Sequence, residues 1–299
     1  MTGKLSRVPA LFARDLCGYR LDRDGNLTTK PNTSDANDDL SVVLGTTLFD
    51  QLGVQRDEVA PPDPGTDMER RVVEYLRVLR PDLRIERSLP AEDFIQYAHL
   101  GVFRDFKANF GDQRPILDKL ANRIGTLDLG SQRSSINREL RKLSSKADVQ
   151  AKLVTDLAEQ MPEESLLKID ISVAIPRGDD LDELAIAISA KWSLRTDRAQ
   201  DCVAQGNKLV NQRRGKMPHF GVLTMETRPA MLKILADGSG AVDYVYHLDL
   251  AALGQTIEGL TEAKGRNWSP GSTFRRLSRQ HRMRDFDQLV DEVMRVPTV

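Results

Sequence analysis

The chain contains few of the residues that build disulfide or zinc scaffolds. It has two cysteines, Cys17 and Cys202, and four histidines, and none of them shows the spacing of a metal-binding motif. Two cysteines so far apart in sequence make no disulfide framework. The composition therefore excludes a small secreted disulfide scaffold and favours a reducing, cytoplasmic environment.

Long apolar runs are absent as well. No segment approaches the roughly 18 consecutive apolar residues of a membrane-spanning helix, and the first residues show no signal-peptide pattern. A hydrophobic content of 40% and a charged content of 29% fit a globular protein with a packed core. We therefore expect no membrane partner.

A surplus of basic residues is also missing, since the formal net charge is −1. Proteins that bind nucleic acid through their overall charge are usually basic. Any binding of nucleic acid would therefore need a local cleft whose basic residues are balanced by acidic residues elsewhere. Such a balance suits a nuclease, in which carboxylates for a metal ion lie inside a positive groove.

The most informative stretch begins with two apolar runs of strand length, LKIDISVAI over 167–175 and LAIAISAKW over 184–192. The Pro, Gly and Asp residues between them predict a turn that is too short for a parallel crossover. We predict an antiparallel hairpin, which brings Asp170 and Lys191 to the same end. A carboxylate that binds Mg²⁺ beside a lysine that orients or activates water is the geometry of a metal-dependent phosphodiesterase. By itself this pair is weak evidence, because surface strands commonly end in Asp and Lys.

A helix is predicted directly after the hairpin, starting at RTDR over 195–198 and ending at Gly215. Arg195 and Arg198 could each pair with the O6 and N7 atoms of guanine, and Asp197 could accept from the amino group of cytosine. A two-fold dimer would double these contacts into a palindrome of G and C. The alternative is an ordinary ion pair at the helix start.

These blocks resemble the type II restriction endonucleases of the NgoMIV family, which cut sites with a CCGG core and belong to the PD-(D/E)XK superfamily. KWSLRTDRAQ is similar to that family's K-W-T-I-R-S-D-R-A-Q block, and KIDISV falls where the family has P-D-I-I-V. The resemblance spans about residues 36 to 254 and includes Ser189-Ala190-Lys191 as a Ser-x-Lys variant. Further matching blocks follow in order: QYAHL (96–100), RRGKMPH (213–219), VLTMETRP (222–229) and VDYVYHLDL (242–250).

The resemblance implies a role for several residues. Asp170 would be the metal-binding aspartate and Lys191 the catalytic lysine. Glu69 falls where the family has a helix glutamate near the metals, although its position alone also fits a surface charge. The CCGG bases would be read by Arg195, Asp197 and Arg198.

One departure from the family pattern concerns Gln205. The family supplies a glutamate at this position, on the same helix face as Arg198. A glutamine carbonyl oxygen can still ligate Mg²⁺, although it attracts the ion less than a carboxylate does. We therefore expect Asp170 and Gln205 to be the metal ligands, with Glu69 completing the catalytic set. The expected cofactor is Mg²⁺, with Mn²⁺ as a substitute.

The predicted fold is α/β, with a mixed central β-sheet of the restriction-endonuclease type flanked by helices. A single domain over 1–299 would comprise a mainly helical part over about 1–160, a catalytic core over about 161–264 and a basic tail over 265–299. The tail could bind phosphates, form a solvated helix or make an oligomer contact. Helices outside the core are predicted over 38–52, 67–80 and 92–125, with one or two more exposed helices over 126–166.

The resulting hypothesis is a type II restriction endonuclease that hydrolyses double-stranded DNA at a palindrome with a CCGG core, such as GCCGGC. It would act as a homodimer or homotetramer in the cytoplasm of a prokaryotic cell. A cognate methyltransferase would act on the same DNA site and would not bind the protein. Two alternatives stay open: a CCGG-specific DNA-binding protein with weak or no cleavage, and a structure-selective nuclease of the same fold.

Overall fold

The chain forms two compact units. The first comprises Met1–Tyr97 together with Leu167–Val299, and the second comprises Ala98–Leu166. The computed structural model describes these residues: 10, 12–102, 111–160, 167–237 and 240–297.

The strands of the described residues all belong to the first unit. In chain order they are β1 (Tyr19–Leu21), β2 (Leu27–Pro31), β3 (Arg84–Pro90), β4 (Lys168–Ile175), β5 (Glu183–Lys191), β6 (His219–Thr224), β7 (Tyr244–His247) and β8 (Met283–Asp285). β1 and β2 pair separately, and the other strands form one sheet in the order β3-β4-β5-β6-β7-β8. The sheet is mixed, because β3, β4 and β5 are antiparallel whereas β5 to β8 are parallel.

Helices precede, connect and follow these strands. In chain order they are α1 (Asp39–Leu52), α2 (Pro64–Leu79), α3 (Arg114–Gly125), α4 (Arg133–Gln160), α5 (Thr196–Gln212), α6 (Pro229–Ala236), α7 (Leu250–Lys264), α8 (Ser269–Arg279) and α9 (Phe286–Met294). α5 and α6 each join two parallel strands, as the crossover of a parallel pair requires. The predicted α/β fold, with a mixed central sheet flanked by helices, is confirmed.

Strands β4 and β5 form the predicted antiparallel hairpin. Ile171 lies opposite Ile188, and Val173 lies opposite Ile186. All four side chains are buried, as expected for central strands that are covered on both faces. Because strand side chains alternate between faces, the residues between these isoleucines and valines point to the other face of the sheet.

Helices cover both faces of the hairpin. Met68 and Val72 of α2 belong to the same buried cluster as Ile188. On the other face, Cys202 of α5 contacts Ser189, with 3.5 Å between Sγ and Oγ. α5 also approaches β6 closely, since a Cβ atom on Gly206 would lie 2.7 Å from the Phe220 ring.

Strands β5, β6 and β7 end at the same side of the sheet, which we call the carboxyl edge. Lys191 lies beside Thr224, and Thr224 lies beside His247, at the last residues of β5, β6 and β7. β4 runs in the opposite direction, so its first residues, including Asp170, lie at the same edge. The loops that follow β5 and β6 therefore meet beside Asp170 and Lys191.

The helix predicted over 92–125 is wrong in its first part. Over 92–100 the chain forms only short 3-10 turns, at Ala91–Asp93 and Ala98–Leu100, whereas 101–102 are helical and 103–110 lie outside the described residues. The physical reason is Gln96, whose side chain hydrogen-bonds to both the N–H and the carbonyl group of Leu184 at 3.0 and 2.8 Å. These bonds hold the segment as an irregular chain along β5.

The second unit contains α3 and α4. α4 buries Leu140, Ala147 and Ala151 on one face and exposes most of its other side chains, so the predicted exposed helix is confirmed. Nowhere in the described ranges is a helix apolar over enough of its length to cross a bilayer.

The C-terminal segment contributes α8, β8 and α9, and β8 pairs with β7 at the end of the sheet. Several of its arginines contact their own chain. Arg276 forms an ion pair with Asp237 at 2.9 Å. The guanidinium carbon of Arg284 lies 3.3 Å from the centroid of the Tyr244 ring, in a cation–π contact. These contacts favour a structural role for both arginines over binding to phosphates.

Candidate active site

Asp170 and Lys191 form an ion pair at the carboxyl edge. Lys191 Nζ donates to Asp170 Oδ2 at 2.6 Å, and the two side chains are 28% and 22% exposed. The hairpin therefore places the predicted carboxylate and ammonium in direct contact, open enough to reach a substrate.

Asp170 is held asymmetrically. Its Oδ2 also accepts hydrogen bonds from Ser189 Oγ at 3.1 Å and from the Ala190 N–H at 2.9 Å. No described residue donates a hydrogen bond to Oδ1. One oxygen thus fixes the carboxylate in place and the other is left for a ligand.

Glu69 lies close to this pair. Its Oε2 accepts two hydrogen bonds from Arg87 on β3, at 3.0 Å from Nη2 and 3.2 Å from Nε. Burial raises the pKa of Glu69; Arg87 and Lys191 oppose this shift, and the nearby charge of Asp170 adds to it. Glu69 and Lys191 also line one cleft, so Glu69 lies near the ion pair.

Gln205 contacts β4 through a hydrogen bond to the main chain. Its Nε2 donates to the Lys168 carbonyl oxygen at 2.6 Å. Because only the NH₂ group of an amide can donate, it is the NH₂ group that faces Lys168, and the amide oxygen points away from it. Lys168 and Asp170 are two residues apart on one strand, so Gln205 is bound to β4 about 7 Å along the strand from Asp170.

The carboxylates of Asp170 and Glu69 could supply part of the coordination of Mg²⁺, but not all of it. The described residues contain no group of three or more His, Cys, Asp and Glu residues that could hold a metal ion. Mg²⁺ is usually bound by one or two carboxylates, water and substrate phosphates, and not by a cage made entirely of protein groups. Asp170 and Glu69 would hold such an ion, with the amide oxygen of Gln205 as a weaker ligand and the remaining positions left to water and phosphate.

The start of α5 presents its polar side chains to solvent. Arg195 precedes the helix as its N-cap and makes no side-chain capping bond. Arg195 Nε lies 3.9 Å from Asp197 Oδ1, and the two side chains are 66% and 67% exposed. So long and exposed an ion pair stabilises the fold little, which leaves both groups accessible to another molecule.

A cleft of about 800 Å³ is lined by residues from both the carboxyl edge of the sheet and the start of α5. Its walls include Glu69, Lys191 and Arg198, together with the proline-rich segment over 59–66 that leads into α2. Asp170, Arg195, Asp197 and Gln205 are not among its lining residues, although Asp170 contacts Lys191, and Arg195 and Asp197 lie on the same helix turn as Arg198. The structure thus brings Glu69, Asp170 and Lys191 together next to the start of α5.

Two charged residues near this site, Arg87 and Glu226, are not singled out by the sequence. Arg87 contacts Glu69, and Glu226 is a fully buried carboxylate just after β6. A glutamate directly after the apolar run of β6 is a signal that could have been found, whereas nothing in the sequence around Arg87 distinguishes it from a surface arginine.

Comparison with known proteins identifies the same family as the sequence blocks. A family model described as NgoMIV restriction enzyme matches residues 171–290. The type II restriction enzyme NgoMIV of Neisseria gonorrhoeae is 42% identical over 77 residues, which are 26% of this chain and 27% of that protein. The aligned segment thus covers about a quarter of the curated relative, and the resemblance to the NgoMIV family is confirmed over residues 171–290. Lys191, Gln205 and the start of α5 lie inside the matched residues, whereas Glu69 and Asp170 precede them.

Proposed function

We propose that this chain, whose residues 171–290 match the NgoMIV restriction enzyme family, is a type II restriction endonuclease. It would hydrolyse double-stranded DNA, with Mg²⁺, at a palindrome that has a CCGG core, such as GCCGGC. The observation that carries the proposal is the Asp170–Lys191 contact at 2.6 Å beside an exposed Arg-Thr-Asp-Arg helix start.

The chemistry assigned to the site is attack of water on a DNA phosphorus, with release of the sugar oxygen. A bound divalent ion would supply charge stabilisation at the phosphate and a water of lowered pKa. Lys191 would orient the attacking water and offset the charge that develops on the phosphate oxygens. The Ser189 and Ala190 donors would keep Asp170 in position, and Arg87 would do the same for Glu69.

Recognition is assigned to the start of α5. Arg195 and Arg198 would donate to guanine O6 and N7, and Asp197 would accept from the cytosine N4 amino group. Two copies related by a two-fold axis would read both halves of a palindrome, so we propose a homodimer or homotetramer. A cognate methyltransferase would protect the same site in the host DNA.

Replacing Asp170 separates binding from cleavage. Asp170→Ala removes a metal ligand and the partner of Lys191, so cleavage in Mg²⁺ should vanish while binding to CCGG duplexes persists. Asp179→Ala, an exposed aspartate in the β4–β5 turn, is the matched control and should retain cleavage. Retained cleavage in Asp170→Ala would refute the proposed active site.

A second candidate function is specific binding to CCGG with weak or no cleavage. One observation that favours it is Gln205, which stands where the family has a glutamate and donates its amide N–H to the Lys168 carbonyl oxygen. The other is that the described ranges contain no cluster of three carboxylates. It predicts no cleavage by the unaltered protein in either Mg²⁺ or Mn²⁺, so that Asp170→Ala has no activity to remove.

A further inference from the structure

Glu226 is a carboxylate without solvent exposure that the chemistry above does not use. A buried carboxylate is costly unless it is paired and hydrogen-bonded. Its Oε1 accepts from the Nε and the main-chain N–H of Arg228, both at 2.8 Å. Glu226 and Arg228 therefore form a compact ion pair within the loop after β6.

The second oxygen of Glu226 binds the neighbouring loop. Oε2 accepts the main-chain N–H of Leu194 at 2.7 Å. Arg228 Nη2 donates to the carbonyl oxygen of the same residue. Both main-chain polar groups of Leu194 are thus satisfied by the Glu226–Arg228 pair.

Leu194 is the residue directly before Arg195, the N-cap of α5. Its side chain is buried, and the Met225 N–H donates to the Trp192 carbonyl oxygen at 3.0 Å as a further link between the two loops. The chain is therefore fastened on both sides of Ser193, immediately before the exposed base-reading side chains.

The same arginine reaches a third segment. Arg228 Nη1 lies 3.5 Å from Asp35 Oδ2 and 3.8 Å from Asp38 Oδ2, and Asp38 caps α1. The pair therefore joins the start of α1, the loop after β6 and the start of α5.

We propose that Glu226 is a positioning residue for DNA recognition, which through Leu194 fixes the direction of Arg195, Asp197 and Arg198 before DNA is bound. The inference rests on the proposed function. A helix start fixed in advance loses less conformational entropy on binding, and it presents bidentate donors at a defined angle. Loss of the Glu226 carboxylate should therefore weaken discrimination between bases more than it weakens attraction to the DNA phosphates.

The test uses Glu226→Gln, which retains the size of the side chain and one acceptor oxygen. Both oxygens of Glu226 face only donors, so the new NH₂ group must break either the Leu194 N–H bond to Oε2 or the Arg228 bonds to Oε1. The second loss would release the guanidinium that holds the Leu194 carbonyl oxygen. Binding to a CCGG duplex and to duplexes with one changed base pair is measured without Mg²⁺, so that the DNA stays intact. We expect the ratio of the two affinities to fall about tenfold, the loss of roughly one bidentate base contact, with nonspecific binding unchanged.

Asp82→Asn is the matched control. It removes the carboxylate partner of another buried arginine, Arg80, at a pair far from the start of α5 in sequence. A purely structural loss should lower the thermal stability of both variants and leave the affinity ratio of the folded protein unchanged. An unchanged ratio in Glu226→Gln would overturn the inference.

A double variant tests whether the fall in the affinity ratio acts through the start of α5. In an Arg195→Ala background, Glu226→Gln should lower the ratio less than it does alone, because one of the three side chains that it positions is gone. Equal effects in both backgrounds would overturn the inference. An unaltered protein that prefers no CCGG duplex would instead overturn the proposed function, and the inference with it.

Hydrogen exchange tests the same claim without a variant, should Glu226→Gln fail to fold. The Leu194 amide should exchange slowly in the DNA-free protein because its N–H is bound to Glu226. Rapid exchange that slows only when a CCGG duplex is added would mean that DNA orders this segment, and it would overturn the inference.

Discussion

At the scale of single residues, the hydrogen bonds of Gln205 limit what it can offer a metal ion. Its Nε2 is bound to the Lys168 carbonyl oxygen at 2.6 Å, on the strand that carries Asp170. Only the neutral amide oxygen is left as a ligand, which attracts Mg²⁺ less than a carboxylate does.

Replacing this amide by a carboxylate should improve metal use. In Gln205→Glu the side chain cannot donate to Lys168, and repulsion between the two oxygens should release it towards the metal site. We expect the Mg²⁺ concentration for half-maximal plasmid cleavage to fall about 10-fold. Asn211→Asp, on an exposed position of the same helix, adds the same charge as a control. An unchanged midpoint in Gln205→Glu would contradict a metal-binding role at this position.

The Asp170–Lys191 contact could be predicted because two strands and a short turn determine it. The contacts of Arg87 with Glu69 and of Glu226 with Leu194 join segments 18 and 32 residues apart. No local pattern encodes such pairs, since they depend on how α2 and the loops pack on the sheet. The side-chain bonds that limit Gln205 were beyond prediction for the same reason.

At the scale of secondary-structure elements, α5 has a core-facing side and an exposed start. Ala199, Cys202 and Leu209 are buried, whereas Arg195 and Asp197 are exposed. The helix is thus seated by its apolar face while its first turn remains available to a partner.

Arg195→Ala tests whether this turn reads bases. The loss of a bidentate contact with guanine should cost about 1–3 kcal/mol of discrimination at one position of the site. Competition between the CCGG duplex and singly substituted duplexes measures it, with Arg213→Ala after the other end of α5 as control. Equal weakening on every sequence would instead favour a structure-selective nuclease.

Asp285, the N-cap of α9, gives a test of stability. Burial raises the pKa of its carboxyl to about 6, with a smaller contribution from Asp249. The folded state then binds the proton more tightly than the unfolded state, so the free energy of unfolding falls as pH rises from about 4 to about 6. Above that range the group contributes no further change.

Asp285→Asn keeps a capping oxygen but cannot ionise, so it should lose this pH dependence. Between pH 4 and pH 7 the stability difference between the variant and the unaltered protein should shift by about 1–2 kcal/mol, allowing for partial exposure. Urea unfolding at both pH values measures it, with the exposed Asp291→Asn as control. A constant difference would contradict the raised pKa.

Two strands of the sheet, β3 and β8, escape prediction from the sequence. β3 carries Arg84, Glu86 and Arg87, and its charges are satisfied by ion pairs with Asp182, Arg77 and Glu69. Such a strand has no apolar alternation to reveal it. β8 spans only Met283–Asp285 and is too short to show a period, so it exists through its pairing with β7.

At the scale of the whole molecule, a net charge of −1 is compatible with DNA binding because charge is distributed unevenly. Lys191 and Arg198 line the cleft together with Glu69, whereas several arginines of the C-terminal segment are occupied within the fold. We therefore propose that recognition takes place at one cleft and at its symmetry mate in a second copy of the chain.

The most direct test of this account is a plasmid digest with the purified protein in Mg²⁺ and, separately, in Mn²⁺, with the fragment ends sequenced. The account predicts cleavage that needs the divalent ion, and ends that cluster at one palindrome containing CCGG. Ends scattered without sequence preference, or plasmid that stays intact in both ions, would contradict it.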